Sequence, residues 1–378
     1  MRRKLALACL MLIAAGILSG CDGKKNPDKE VTPTPAPTVT EHPDDERNTP
    51  TPDAPADVKE ITLPEDSLKV ADYSTTKGLK IPAGMHIAVV VNKRTSDYWK
   101  AVEQGAQQAI NDLNEQMDFK KDDKIKMTFE GPDSEDDVET QINTIDAVLA
   151  ENPSALCLGV IDQNSCEAQL ENARENGIPV LTVDSGLKDQ IGLKSCATDN
   201  YEAGREAARR LCASIGDDGK VAVASHIEST QSSKERIRGF REELEENHPQ
   251  VALVKVNYEN NEKAMRDMVL ETLALYPDLK GIFSTNDEMT RETLEALEGL
   301  ENAPKLVGMD TCKEIRGAIE DERMVGTISQ NPYGMGYAMI VLAVRESLGL
   351  PNQMFVDSGF QWIDKHNLSA QENLKYFY

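Results

Sequence analysis

The sequence predicts an α/β protein made of two successive domains of similar build, each a parallel sheet covered by helices on both faces. Three observations carry this. From Met85 onward, short β-branched runs alternate with amphipathic helical patterns. The alternation passes through about five strands, pauses after "ATDN", and begins again for about five more. Polar residues stand where strand after strand runs out, and in open parallel sheets ligands bind at that end.

The strands of the first run read "HIAVVV", "IKMTFEG", "ALCLGVI", "PVLTVD" and "GLKSCATD". Between them lie helical stretches such as "YWKAVEQGAQQAINDLNEQ" and "DVETQINTIDAVLAEN". In the first of these, Trp99, Val102, Ala106, Ile110 and Leu113 share one face at a spacing of three to four residues, which is the helical period. The second run reads "KVAVASH", "ALVKVNY", "GIFSTND", "KLVGMD" and "MVGTISQ".

What precedes this region is not expected to fold. "MRRK" is a basic start and "LALACLMLIAAGI" an apolar stretch shorter than a comfortable membrane span. "LSGC" ends at Cys21 and resembles a bacterial lipobox, so residues 1–20 are expected to be a lipoprotein signal peptide and Cys21 the lipidated residue. Residues 21–80 are dominated by Thr, Pro and charged residues, which cannot bury enough apolar surface to fold. They are expected to form an extended tether, with a root-mean-square span of roughly 40–45 Å for a flexible chain of ~60 residues. The expectation is an extracytoplasmic protein, lipid-anchored to the outer face of the cytoplasmic membrane and touching the membrane through that anchor only.

The formal net charge of −24 argues against nucleic acid as a partner, because phosphate backbones need a basic footprint. Of seven cysteines, setting aside Cys9 in the leader and Cys21 leaves five. These form no CxxC, lie mostly in apolar contexts and read as small buried hydrophobes. No metal spacing links the histidines, and no GxSxG, HExxH, Walker A or strand-linked GxGxxG is present. The reading is therefore not an enzyme, with no cofactor and no metal. The acidic "DSEDD" at 133–137 lacks the glycine and spaced ligands of a Ca²⁺ loop and reads as a solvated helix start.

The strand ends supply Asn92, Asp184, Ser185, His226, Asn286, Asp310 and Gln330. Any one of them is also a natural N-cap for the helix that follows. Together with Ser96, Arg236 and the aromatic pair Tyr98 and Trp99, they suit a polyhydroxylated neutral molecule. Carboxylates accept, amides do both, a guanidinium donates, and a ring covers an apolar sugar face.

Several segments then resemble, in order, the solute-binding proteins of bacterial sugar ABC transporters, of the ribose/galactose type. They are "IAVVVNKRTSDYWKAVEQGA", "ENGIPVLTVDS", "ATDNYEAGREAA", "SSKERIRGF", "GIFSTNDEMTRETLEAL", "KLVGMD", "GTISQNPYGMGYAMI" and "SGFQWIDKHN". The resemblance implies the type I periplasmic binding protein fold: two Rossmann-like lobes with parallel sheets, joined by a three-segment hinge. On this basis the N-terminal lobe is expected at 84–197 plus 331–360 and the C-terminal lobe at 198–330 plus 361–378. It implies a monomer that closes on a sugar and delivers it to a membrane permease; the alternative is a sensor signalling to a membrane kinase or chemoreceptor. Carried across, Ser96 becomes a polar contact and Tyr98 and Trp99 cover the ring. Asp184 accepts, Arg236 donates, and Asn286, Asp310 and Gln330 bond the remaining hydroxyls. Tyr258 or Asn260 is the candidate from the second lobe. Ser185 stands where ribose binders carry Arg, and Arg94 is either a contact for an anionic ligand or part of a solvated loop.

Overall fold

The computed structural model describes residues 71–378 apart from 189–191 and 261, all within one compact unit, Thr62–Tyr378. The expected signal peptide, Cys21 and most of the expected tether lie outside the described residues. Residues 71–80, expected at the end of that tether, belong to the folded body instead. Tyr73 and Leu79 are buried in the first lobe's core, and the Tyr73 hydroxyl accepts from the Gln353 backbone N–H at 2.8 Å. Two apolar anchors with a satisfied phenol outweigh the polar composition around them.

The first lobe begins with β1 (His86–Val90), α1 (Asp97–Gln116), β2 (Lys126–Glu130), α2 (Val138–Ala150), β3 (Ala155–Leu158), α3 (Glu167–Glu175), β4 (Val180–Val183) and β5 (Lys194–Ala197). The second repeats the pattern with α4 (Asn200–Ile215), β6 (Gly219–Ser225), α5 (Gln231–Asn247), β7 (Val251–Tyr258), α6 (Met265–Leu275) and β8 (Leu279–Ser284). It continues with α7 (Asp287–Leu297), β9 (Lys305–Met309), α8 (Lys313–Glu320) and β10 (Gly326–Gln330). The chain then returns to the first lobe with α9 (Pro332–Ser347) and β11 (Phe355–Asp357), and ends in the second with β12 (Phe360–Asp364).

The two sheets have matching strand orders, β11-β5-β4-β3-β1-β2 and β12-β10-β9-β8-β6-β7. All pairings are parallel except β12, which runs antiparallel to β10 at the sheet edge. Strands such as β1 and β3 are apolar and almost wholly buried, as sheets covered on both faces require. Each fully buried Ile or Val there contributes about 1.5–3 kcal/mol.

Chain passes between the sheets follow β5, β10 and β11. These three crossovers are tied to one another. The Thr198 hydroxyl donates to Gln330 Oε1 at 3.0 Å and lies 3.4 Å from the Ser358 hydroxyl. Asn331 Nδ2 donates to the Ser358 carbonyl at 3.1 Å.

Within each lobe, one helix pair meets backbone to backbone through paired glycines. A Cβ on Gly105 of α1 would collide with the Tyr333 carbonyl of α9, and one on Gly336 with the Val102 carbonyl. In the second lobe, Gly204 of α4 faces the Arg236 carbonyl of α5, and Gly239 faces that of Tyr201. α9 is buried on most of its surface, as an all-round apolar helix must be. Among the described residues, all five cysteines are free and buried.

Candidate functional site

The carboxyl ends of both sheets face one cavity of about 320 Å³, at the low end of the range for small-molecule sites. Asn92, Ser96, Tyr98, Trp99, Asp184, Arg236, Asn286, Asp310 and Gln330 all line it.

Asp184 and Asp310 occupy equivalent places, at the ends of β4 and β9, the strands that hold matching positions in the two sheets. Both have left-handed backbones, with φ of 61° and 71°. Aspartate tolerates this better than most residues, but it is sparsely populated and concentrates at functional sites. The Tyr98 hydroxyl donates to Asp184 Oδ1 at 2.6 Å, and Gln330 Nε2 donates to Asp310 Oδ1 at 2.9 Å. Burial raises both carboxyls above the usual carboxylate range, while the Arg236 guanidinium opposes the rise.

Arg236 is 3 % exposed. Its Nε donates to Asn200 Oδ1 at 2.8 Å and its Nη1 to the Thr285 carbonyl at 2.5 Å. Nearby His226 is buried between the hydroxyls of Thr285 (2.7 Å) and Ser232 (3.0 Å). Burial first, then the charge of Arg236, holds its pKa well below the usual value, so the ring is neutral.

Two lining residues also cap helices, as their positions allow. Ser96 Oγ accepts from the Trp99 N–H at 3.1 Å, and Asn286 Oδ1 accepts from the Met289 N–H at 2.8 Å. With its oxygen so used, Asn286 presents its NH₂ donors elsewhere. Asn92 is the converse case: 5 % exposed, its Oδ1 has no hydrogen-bond partner.

The aromatic pair divides its work. Trp99 is 2 % exposed, packs into the first core and abuts Gly159, as its helical spacing requires, while also lining the cavity. Tyr98 meets Trp99 edge-on at 5.5 Å and Tyr378 edge-on at 5.8 Å, and aims its hydroxyl at Asp184.

Four expected contacts do not line the cavity. Arg94 points to Glu130, Nη1 to Oε2 at 3.5 Å, with its side chain 45 % exposed. Ser185 Oγ accepts from the Gln231 N–H at 3.1 Å, which joins the lobes rather than serving a ligand. Tyr258 packs against the second lobe's core. Asn260 Nδ2 donates to the Tyr258 carbonyl at 3.0 Å, within its own loop.

Other charged residues gather in and around the cavity. Lys93 Nζ donates across the lobes to Glu288 Oε2 at 2.7 Å. Glu135, from the supposedly solvated "DSEDD", lines the cavity and is only partly exposed. Burial, then the charge of Glu259, pushes its carboxyl up to about 8. Glu259 itself is pushed up to about 7 by burial and then Glu288, and its Oε2 is buried without a partner. Asp287 is pushed up to about 6 by burial and then Asp310.

Away from the cavity, Cys212, Asp217 and His248 bring one ligand-type atom each within 4.8 Å of one another. His248 Nδ1 lies 2.9 Å from Asp217 Oδ1, and burial pushes the Cys212 thiol up to about 12. Among the described residues, no helix is long and apolar enough to cross a membrane.

Comparison with known proteins places this geometry. The ribose import binding protein of Bacillus subtilis is 24% identical over 205 residues, covering 54% of this chain and 66% of that protein. An ABC transporter solute-binding protein from Agrobacterium vitis, solved with D-fucose, superimposes with a TM-score of 0.70 at 26% identity, over 78% of this chain and 100% of that one. A carbohydrate transporter solute-binding protein from Agrobacterium radiobacter, solved with D-arabinose, gives 0.71 at 25% identity, over 78% and 99%. The periplasmic binding protein domain family matches residues 87–350. With two matching lobes, three tied crossovers and a polar cavity between facing strand ends, this chain belongs to the periplasmic binding protein family, with the type I fold.

Proposed function

We propose that the protein is an extracytoplasmic solute receptor that captures one monosaccharide-sized, polyhydroxylated ligand between its lobes and delivers it to the permease of an ABC transporter. One observation carries the reading: Asp184 and Asp310, from equivalent strand ends of the two lobes, converge on one small cavity with Arg236 beside them. Carboxylates held this way accept from vicinal hydroxyls, and contacts to both lobes favour the closed form over the open one. The ribose, D-fucose and D-arabinose named for the relatives support a sugar or related polyol. Cys21 would anchor the chain outside the cytoplasmic membrane, with the residues after it as a spacer.

A thermal-shift screen of the full chain against mono- and disaccharides, deoxy sugars, amino sugars and polyols tests this. A ligand at one hundred times its Kd stabilises by about 2.7 kcal/mol. Asp184→Ala and Asn286→Ala should each abolish the shift while leaving the ligand-free protein folded. A panel without any shift would remove the sugar assignment. Unimpaired binding in both variants would move the site elsewhere.

A further inference from the structure

We infer that the ligand carries a positively charged amino group, held at the part of the cavity lined by Glu135, Glu288 and Lys93. This rests on the sugar-or-polyol reading above and narrows it to an amino sugar or amino polyol.

The charges around the cavity do not balance. Its lining includes Asp97, Glu135, Asp184, Asp287, Glu288, Asp310 and Glu314, against Lys93, Arg236 and Arg291. Each of these cations already faces a carboxylate. Lys93 is 2.7 Å from Glu288, Arg291 is 3.8 Å from Asp287, and Arg236 offsets Asp184 and Asp310. Glu135 is left over in the lining, and Glu259, on the opposite lobe and outside the lining, also feels the single Lys93 charge. Around an uncharged ligand these carboxyls must either stay charged beside one another in a partly desolvated space or take up protons well above the usual carboxylate range, and both cost free energy.

The second observation is independent of charge. Asn92, 95 % removed from solvent by its 5 % exposure, lines the same cavity with Oδ1 unpartnered. Glu259 Oε2 is likewise buried with no donor. Buried acceptors without donors are costly, and Asn92 lines the cavity, where a ligand N–H or O–H can reach it. A hydroxyl supplies one donor and no charge. An ammonium supplies three donors and one positive charge, meeting both shortages at once. A carboxylate or phosphate on the ligand would deepen each of them. Arg94, the cation that an anionic ligand needed, is turned away toward Glu130.

The test compares matched sugars by calorimetry on the full chain: D-glucose, D-galactose and D-mannose, the 2-amino-2-deoxy form of each, and the N-acetyl form, which keeps the nitrogen but loses the charge. At least one amine should bind at least tenfold more tightly than both of its uncharged counterparts. The preference should shrink at least tenfold in the Glu135→Gln, Glu259→Gln double variant, whose near-isosteric amides leave the fold intact, as an unchanged melting transition checks. Neutral sugars binding as tightly as their amines would overturn this inference and leave the sugar receptor standing. An amine preference untouched by the double variant would overturn the assignment to these carboxylates. A panel in which nothing binds would sink the sugar reading and this inference with it.

Discussion

Arg236→Met is the most demanding test of the site's electrostatics. The substitution keeps a long flexible side chain but removes the positive charge that opposes the raised pKa of Asp184 and Asp310. It also strips donors from Asn200 Oδ1 and the Thr285 carbonyl. Each of the two buried acceptors left unsatisfied costs about 1–3 kcal/mol, and the two carboxyls lose the through-space effect of a nearby positive charge that they do not contact directly. Because these contributions overlap, the expected loss in unfolding free energy is about 3–5 kcal/mol at pH 7, not their sum. The sign with pH follows from the carboxyls. Their folded pKa values are already raised, and losing Arg236 raises them further. A raised carboxyl favours the folded state only below its unfolded pKa of about 4 and loses that advantage as pH climbs through the folded value. The deficit of the variant should therefore be smallest near pH 4 and grow toward pH 8. Urea unfolding of the ligand-free protein measures it, followed by far-UV circular dichroism. Asp310→Asn in the same background should recover about 1.5–3 kcal/mol, because the two groups couple directly. A deficit under about 1 kcal/mol at pH 7, or the same deficit with and without Asp310→Asn, would refute the claim that Arg236 offsets this pair.

Three further outcomes are expected. Glu135, Glu259 and Asp287, pushed up to about 8, 7 and 6, stabilise the closed, ligand-free fold only while protonated. The melting temperature should thus fall as pH rises from 5 to 8.5, and a flat profile contradicts the burial described. Gly204→Ala forces a methyl into the Arg236 carbonyl and should cost about 1–3 kcal/mol while weakening ligand binding. Gly317→Ala, in α8 with open space around it, should be neutral or stabilise by about 0.5–1 kcal/mol; equal losses at both sites would discount the helix contact. Finally, Cys21→Ala should abolish incorporation of a labelled fatty acid in growing cells, and label persisting on the variant would place the lipid elsewhere or nowhere.

Much of the fold is legible because doubly covered parallel strands are nearly unbroken apolar runs, and "HIAVVV" or "ALCLGVI" has few other uses. β11 and β12 left no comparable trace. β11 is three residues long with one buried, and the antiparallel direction of β12 is set by the third crossover, which no local pattern encodes. Residues 71–80 looked like tether because two or three anchors among polar neighbours do not change a composition. At the site, strand ends were found by position alone: Asn92, Asp184, His226, Asn286, Asp310 and Gln330 all line the cavity. Glu135 and Glu259 were missed because they sit on loops that matter only once the lobes approach, and an acidic run looks the same whether water or a second lobe faces it. Arg94 misled for a related reason. Its partner Glu130 lies on the neighbouring strand, and sequence distance hides the pair.

The paired glycines give the molecule its mechanical character. α9 starts one residue after the second crossover, and α1 starts at the residue before Tyr98. With their backbones in mutual contact at Gly105 and Gly336, the two helices have little room to slide or tilt against each other. They behave as a single stiff lever with one end in the hinge and the other at the cavity. Two small residues outside the cavity lining thus tie the first turns of α1, which carry Tyr98, to the start of α9 at the crossover.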